Sequence, residues 1–321
     1  MNVAVLGTWH VHAPEYTESV IDSGRATLVK VWDADIEKAK AFGEKYNTAY
    51  TSDLNEILSD ESIDSVVITT STKDHPEVIT AVAKAGKNIF TEKVLAFDVA
   101  EAEEMKKVID ESGVKFTISY PQRTWGSLRF VKGLVEGGKL GTVTYARERN
   151  VHDGASAGWL PPHFYDKSQT GGGAMMDLGA HPMYNMLYIL GEPEYVSSAF
   201  TTVTGKPVED NSVSVLSYAN GAIGVSETGF VSKNNPMTLE VSGTEGAVMV
   251  HGTSVTYCCA DTDNKWVDAE VPENEKLPIY QWIDAVCDGT EAPFGTADAV
   301  ALTKIMDAAY RSAESGAKAK Y

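Results

Sequence analysis

Cysteine is scarce: three in 321 residues, Cys258, Cys259 and Cys287. An odd number with a vicinal pair builds neither a disulfide framework nor a zinc site, so these read as reduced thiols of a cytoplasmic protein. Basic residues are also few, 27 Lys plus Arg against 45 Asp plus Glu, for a formal net charge of −18. The sequence lacks the basic stripe that a phosphate backbone or an anionic lipid surface requires, so neither nucleic acid nor membrane is an expected partner. No apolar run approaches the ~20 residues of a membrane span. Met1 to Leu6 enters a strand-like run with no basic leader segment ahead of it. Repeats and low-complexity tracts are missing too. What is present is globular: 43% hydrophobic and 22% charged residues. At about 150 residues per domain the length suggests two domains. A chain of this size buries roughly 75% of its unfolded surface and needs no staples.

The first part of the chain alternates between two periods. Continuous apolar runs at Val3–Leu6, Thr27–Trp32, Ser65–Thr69, Asn88–Phe90 and Lys115–Ser119 predict strands covered on both faces. Helical segments at Ala13–Ser23, Ile36–Tyr46, His75–Ala85 and Val99–Ser112 separate most of them. This is the order of a parallel sheet wound on both sides. After Pro121 the pattern changes. A helix is expected at Ser127–Glu136 and a strand at Thr142–Asn150. A Pro-, Gly- and aromatic-rich segment fills Gly158–Gly173, and one long helix is expected over Ala174–Leu190. Val213–Tyr218, Ala222–Thr228, Thr238–Ser242 and Ala247–Val250 alternate like antiparallel strands. Helices at Pro278–Cys287 and Ala297–Ser315 close the chain. The expected division is residues 1–120 and 121–321, with the final helix able to pack back on the first domain.

Gly7 follows the first strand and precedes the first helix, where a dinucleotide pyrophosphate sits on exposed amides. The run is Gly7-Thr8-Trp9-His10-Val11-His12, so only the first glycine of GxGxxG survives. A tight turn with no ligand explains Gly7 equally well. Asp33, at the end of the second strand, strengthens the cofactor reading. A carboxylate there accepts from adenosine ribose hydroxyls and repels a 2′-phosphate, and no Arg stands beside it, so NAD is expected over NADP. His10 and His12 also invite a metal reading, which alternate histidines can support. They sit where the cofactor is expected, and no metal is expected.

Three stretches together resemble the Gfo/Idh/MocA family of sugar and polyol dehydrogenases. His75–Ala96, HPEVITAVAKAGKNIFTEKVLA, is similar to that family's helix, AGK turn, strand and EKP loop, with Val94 in place of the proline. Gly171–His181, GGGAMMDLGAH, is similar to its GGGxxxDxGxH motif. The terminal helix carries Ala308-Ala309-Tyr310-Arg311-Ser312 and Gly316. Where the family often has an acid three residues after the motif histidine, this chain has Tyr184. The resemblance implies an N-terminal Rossmann domain with a doubly wound parallel sheet. An α+β C-terminal domain with a large, mostly antiparallel open sheet would follow, the sheet commonly serving homodimer or homotetramer contacts.

The resemblance also implies that Lys93, Asp177 and His181 meet beside a nicotinamide. Asp177 and His181, four apart, share a face of the expected helix. Lys93 follows a parallel strand, at the sheet edge where ligands of wound α/β folds bind. Oxidising a secondary alcohol needs loss of a proton and transfer of a hydride. An imidazole takes a proton near neutral pH, a cation stabilises the alkoxide, and Asp177 would bond substrate or orient the base. Each alone has a structural reading as a helix cap, a core histidine or a solvated cation. Gly7, Thr8, Trp9, His10, His12, Asp33, Thr70, His75, Glu92 and Lys93 form the expected cofactor-contacting set. Tyr120, Arg123, His152, Trp159 and His163 are candidate substrate contacts, since rings and imidazoles stack on and hydrogen-bond sugars. The expected function is an NAD(H)-dependent oxidoreductase acting on a sugar, inositol or related polyol. Glycoside cleavage with retained NAD, or a non-catalytic NAD-responsive binding protein, are the alternatives.

Overall fold

The computed structural model describes residues 1–233, 235 and 237–321. The chain divides into two compact units, Met1–Tyr120 with Lys276–Thr303, and Pro121–Glu275 with Lys304–Tyr321.

The first unit begins β1 (Asn2–Leu6), α1 (Ala13–Asp22), β2 (Thr27–Trp32), α2 (Ile36–Lys45), β3 (Ala49–Thr51), α3 (Asn55–Leu58) and β4 (Ser65–Ile68). It continues α4 (His75–Lys84), β5 (Asn88–Thr91), α5 (Val99–Ser112) and β6 (Phe116–Ile118). The sheet runs β3-β2-β1-β4-β5-β6, every pair parallel. Chain reversal between β1 and β4 makes the carboxyl ends there the crevice of a wound sheet. Four consecutive buried residues in β4, Ser65 to Ile68, show why the pattern is continuous rather than alternating. Helix starts are set locally. Asp35 caps α2 through the Glu37 amide at 3.0 Å, and Asp98 caps α5 through Glu101 at 2.9 Å. The short strand β3 and helix α3 escape the sequence pattern, because β3 has two exposed residues out of three.

One face of this sheet is closed from far along the chain. Val3, Val5, Tyr16, Val20, Val31, Val67 and Phe90 form one core with Ile279, Trp282 and Ile283 of α11 (Pro278–Asp288). Phe90 and Trp282 lie 5.7 Å apart between ring centroids. The following segment extends the β6 edge, with the Ile118 amide donating to the Phe294 carbonyl at 3.0 Å.

The second unit contains α6 (Gly126–Glu136), β7 (Val143–Val151), α7 (Gly154–Ala157), α8 (Lys167–Thr170), α9 (Ala174–Asp177) and α10 (Ala180–Leu190). Strands follow: β8 (Tyr195–Thr201), β9 (Asn211–Ser217), β10 (Ile223–Gly229), β11 (Thr238–Gly243), β12 (Ala247–His251), β13 (Ser254–Cys258) and β14 (Val267–Asp268). The helix α12 (Thr296–Ser315) and β15 (Ala319–Lys320) end the chain. The nine-stranded sheet runs β14-β13-β12-β11-β7-β10-β9-β8-β15. Its pairs are antiparallel except β7 with β10. Residues of β9 alternate strictly between exposed and buried. One face lies under α10, and the other presents Val213, Val215, Ile223 and Met249.

The long helix expected over Ala174–Leu190 is two helices. The Gly179 amide reaches back five residues to the Ala174 carbonyl, and the His181 amide only three, to Leu178. Pro182 has no amide to continue the ladder. A Cβ on Gly179 would stand 2.5 Å from the Met175 carbonyl oxygen. Asp177 therefore ends α9 and His181 lies in the first turn of α10, rather than both lying on one regular helix face. Among the described residues no helix is long and apolar enough to cross a membrane.

Candidate active site

In the first unit the turn after β1 is built around Gly7. Its φ is +84°, and an added Cβ would lie 2.6 Å from Thr70 Cγ2 and 2.8 Å from the Thr70 backbone. Only glycine lets the two carboxyl-end loops approach so closely. Asp33 holds the same turn. Its Oδ2 accepts from the Thr8 amide at 2.9 Å and the Thr8 hydroxyl at 2.7 Å, while Oδ1 accepts from the Asp35 amide at 3.0 Å. Thr70 and His75 are buried beside these loops and each presents an unanswered polar atom, Thr70 Oγ1 and His75 Nε2. His75 Nδ1 faces the Val94 and Leu95 carbonyls at 3.0 and 3.1 Å, so that nitrogen carries the proton. Burial lowers its pKa and keeps the ring neutral. Buried polar atoms are rarely left without a partner, and these two fit a polar ligand such as a dinucleotide at this edge.

Glu92 is the hub of this edge and is 2% exposed. Its Oε1 takes hydrogen bonds from His12 Nδ1 at 2.8 Å and from the Tyr16 hydroxyl, and its Oε2 accepts the Lys93 amide at 3.0 Å. Tyr16 in turn meets Ser119 Oγ at 2.8 Å. Burial alone would raise the Glu92 pKa. His10, His12 and Lys93 outweigh it and hold the carboxyl well below the ordinary range. His10 Nδ1 accepts the His12 amide at 3.2 Å, so its 3.8 Å approach to Glu92 is not a hydrogen bond. The donor atoms of His10, His12 and Glu92 lie within 4.8 Å of one another. Lys93, 6% exposed, follows β5, and the Lys93–Val94 peptide is cis. Trp9 is half-buried in the Gly7–His12 turn. Tyr120 is 1% exposed and donates to the Asp298 carbonyl at 3.0 Å.

In the second unit the triple glycine has a structural cause. Gly171 has φ +75°. A Cβ on Gly172 would collide with the Tyr310 hydroxyl at 1.8 Å, and one on Gly173 with the Glu209 carbonyl oxygen at 2.0 Å. Glu209 Oε1 accepts from the Gly173 amide at 2.8 Å, the Met175 amide at 3.0 Å and the Tyr310 hydroxyl at 2.7 Å. The turn carrying Asp177 is thereby locked to the terminal helix. His181, 8% exposed, sets Nδ1 2.7 Å from the Tyr184 hydroxyl, which also accepts the Gln122 amide at 3.3 Å. Tyr184 was legible as the family's substituted acid; Glu209 carried no signal in the sequence.

The remaining candidates lie among aromatic rings. Arg123 stacks 4.2 Å from the Tyr188 ring centroid. His152 stacks on Phe230 at 4.8 Å, lies 4.7 Å from Trp159, and accepts the Gly154 amide on Nδ1. Trp159, 56% exposed, donates to Asp153 at 3.0 Å. His163 lies beside Phe164.

Residues 1–120 match the oxidoreductase family with NAD-binding Rossmann fold, and residues 128–249 match the GFO/IDH/MocA C-terminal domain. The chain is 28% identical over 314 residues to inositol 2-dehydrogenase of Rhizobium meliloti, covering 92% of each. It is 26% identical over 243 residues to 1,5-anhydro-D-fructose reductase of Ensifer adhaerens, covering 72% of this chain and 71% of that one. A solved levoglucosan dehydrogenase, in complex with NADH and levoglucosan, superimposes with a TM-score of 0.87 at 22% identity, covering 100% of this chain and 99% of that one. With both halves matched in order, the chain belongs to the GFO/IDH/MocA family of NAD-binding oxidoreductases.

Proposed function

We propose that the protein moves a hydride between NAD(H) and a secondary alcohol or ketone carbon of a sugar, inositol or related polyol. The observation that carries this reading is Lys93, an almost fully buried lysine at the carboxyl end of β5 in the wound sheet. Burying an ammonium is costly unless the fold uses its charge. The substrate class draws on the relatives, whose names are those of an inositol dehydrogenase and an anhydrofructose reductase.

Bound NAD would accept the hydride in oxidation and, as NADH, supply it in reduction. Gly7, Thr8, Trp9, His10, His12, Asp33, Thr70, His75, Glu92 and Lys93 would hold it. The Asp33 carboxylate would repel a 2′-phosphate, which favours NAD over NADP. His181 would take the hydroxyl proton, and a ring anchored at Nδ1 exchanges protons at Nε2. Lys93 would stabilise the negative charge that develops on the substrate oxygen. Asp177 would hydrogen-bond the substrate or orient His181. Tyr120, Arg123, His152, Trp159 and His163 would shape the sugar site. The exposed apolar residues of the nine-stranded sheet support a homodimer or homotetramer, and the three unbridged thiols support a cytoplasmic setting.

The test begins with intrinsic fluorescence titration by NAD, NADH, NADP and NADPH, followed by NADH production over a polyol and sugar panel. Saturable NAD(H) binding weakened by Asp33→Ala, and turnover nearly abolished by Lys93→Met, are expected. A Lys93→Met enzyme with wild-type turnover refutes the catalytic assignment. Free sugar released from a glycoside without net NADH refutes simple dehydrogenation.

A further inference from the structure

Glu148 is completely buried in the second unit and no step above uses it. It lies on β7 between Arg147 and Arg149, whose side chains point to the opposite face of the sheet and pair with Glu227. Glu148 points instead toward α10. Its two oxygens accept from Asn185 Nδ2 at 2.9 and 3.0 Å. Asn185 Nδ2 also donates to Gln122 Oε1 at 2.8 Å, and the backbone N–H of Gln122 donates to the Tyr184 hydroxyl at 3.3 Å. The Tyr184 hydroxyl meets His181 Nδ1 at 2.7 Å. Glu148, Asn185, Gln122, Tyr184 and His181 are each at most 8% exposed, so the line is shielded from water along its length.

Among the described residues, the groups bonded to Glu148 or paired with it in the sheet carry no charge. Asn185 faces it from α10, Gln122 joins through Asn185, and Ser226 of β10 and Leu239 of β11 stand opposite it in the sheet. Ser226 Oγ and Asn185 Oδ1 are both buried without a partner. The titratable groups further along the line are Tyr184 and His181. A carboxylate dehydrated without a cation favours its neutral form, and burial pushes the Glu148 carboxyl up to about 8. Protonation there changes what Asn185 must offer. An ionised Glu148 takes the amide N–H, whereas a protonated one needs an acceptor, and Asn185 Oδ1 is the idle acceptor of that side chain.

We infer that Glu148, with Asn185 and Gln122, is a buried positioning cluster that fixes the Tyr184 hydroxyl against His181 Nδ1 and so sets the proton affinity of that imidazole. Tyr184 stands three residues after His181, where the family often has an acid, and the cluster acts on the histidine through that phenol. This rests on His181 being the proton-exchanging residue of the proposed reaction.

The experiment reads His181 directly, so it does not depend on finding the substrate. The His181 ring is titrated by NMR in the full-length protein, with His181→Gln assigning its signal, in wild type, Glu148→Gln and Tyr184→Phe. Glu148→Gln is expected to shift the midpoint by about half a pH unit, a threefold change in proton affinity. The same substitution placed on Tyr184→Phe is expected to do nothing further. Midpoints that coincide in wild type and Glu148→Gln, or an equal shift in the presence and absence of the phenol, overturn the proposal. Once a substrate is in hand, the kcat profile of Glu148→Gln is expected to lose a limb between about pH 7 and 9, with NAD affinity unchanged. Profiles of identical shape overturn the proposal. A His181 shift without any polyol turnover by wild type instead overturns the reaction assigned above.

Discussion

Gly7→Ala tests the closeness of the two loops that form the proposed cofactor edge. Gly24 supplies an internal control in the same unit. Both glycines have positive φ, +84° and +65°, but nothing lies within 4 Å of a Cβ on Gly24. Gly24→Ala therefore carries only the conformational cost, about 1–2 kcal/mol. Gly7→Ala adds overlap with Thr70, whose Cα and N stand 2.8 Å from the new carbon. Those are backbone atoms, so no side-chain rotation relieves them, and the overlap costs about 1–3 kcal/mol more. Urea unfolding followed by tryptophan fluorescence should place Gly7→Ala below Gly24→Ala by that difference. Dinucleotide titration of the folded proteins should show weakened NAD binding for Gly7→Ala alone. Equal destabilisation by the two substitutions, with equal NAD affinity, would refute the argument that Gly7 is fixed by its contact with Thr70.

Glu148 should leave a signature in stability against pH. Its folded pKa of about 8 exceeds the ordinary 4.5, so its contribution is fully present below about 4.5 and is lost as pH rises towards 8. The stability of Glu148→Gln relative to wild type should thus increase by on the order of 3–5 kcal/mol between pH 5 and 8.5; a difference independent of pH refutes it. Gly172→Ala should destabilise the second unit and resist rescue by Tyr310→Phe, since Tyr310 Cζ would still stand 2.5 Å from the new methyl. Full rescue in a thermal melt would place the fault elsewhere. Thr8→Val removes one of the two hydrogen bonds that Thr8 gives Asp33, and should cost about 1.5–3 kcal/mol in stability as a charge-assisted bond. An unchanged melting temperature contradicts that.

Four consecutive apolar residues in β1, and the strict alternation in β9, made both sheets legible in the sequence, because burial on two faces and on one face leave different periods. The motif around Lys93 and the triple glycine pointed to the candidate site through their resemblance to a known family, not through any period. Other features depend on partners distant in sequence. Glu148, flanked by two arginines, reads as one more charge on a solvated strand until the pleat turns it inward. The break between α9 and α10 lies in a stretch of strong helix formers, where Gly179 and Pro182 decide against them. Glu209 holds the glycine turn from across a hairpin, and no spacing rule reaches that far.

The core shared by Val3, Val5, Phe90 and Trp282 also sets an order of events in biosynthesis. The amino-terminal strands leave the ribosome early, yet the helix that covers them is among the last segments made. At about 5–20 residues per second, the interval is on the order of ten seconds or more. Throughout it the nascent chain presents an uncovered apolar sheet face. Chaperone occupancy should therefore persist until Ile279, Trp282 and Ile283 emerge, and a product truncated before them should be degraded rather than accumulate as a free nucleotide-binding fragment.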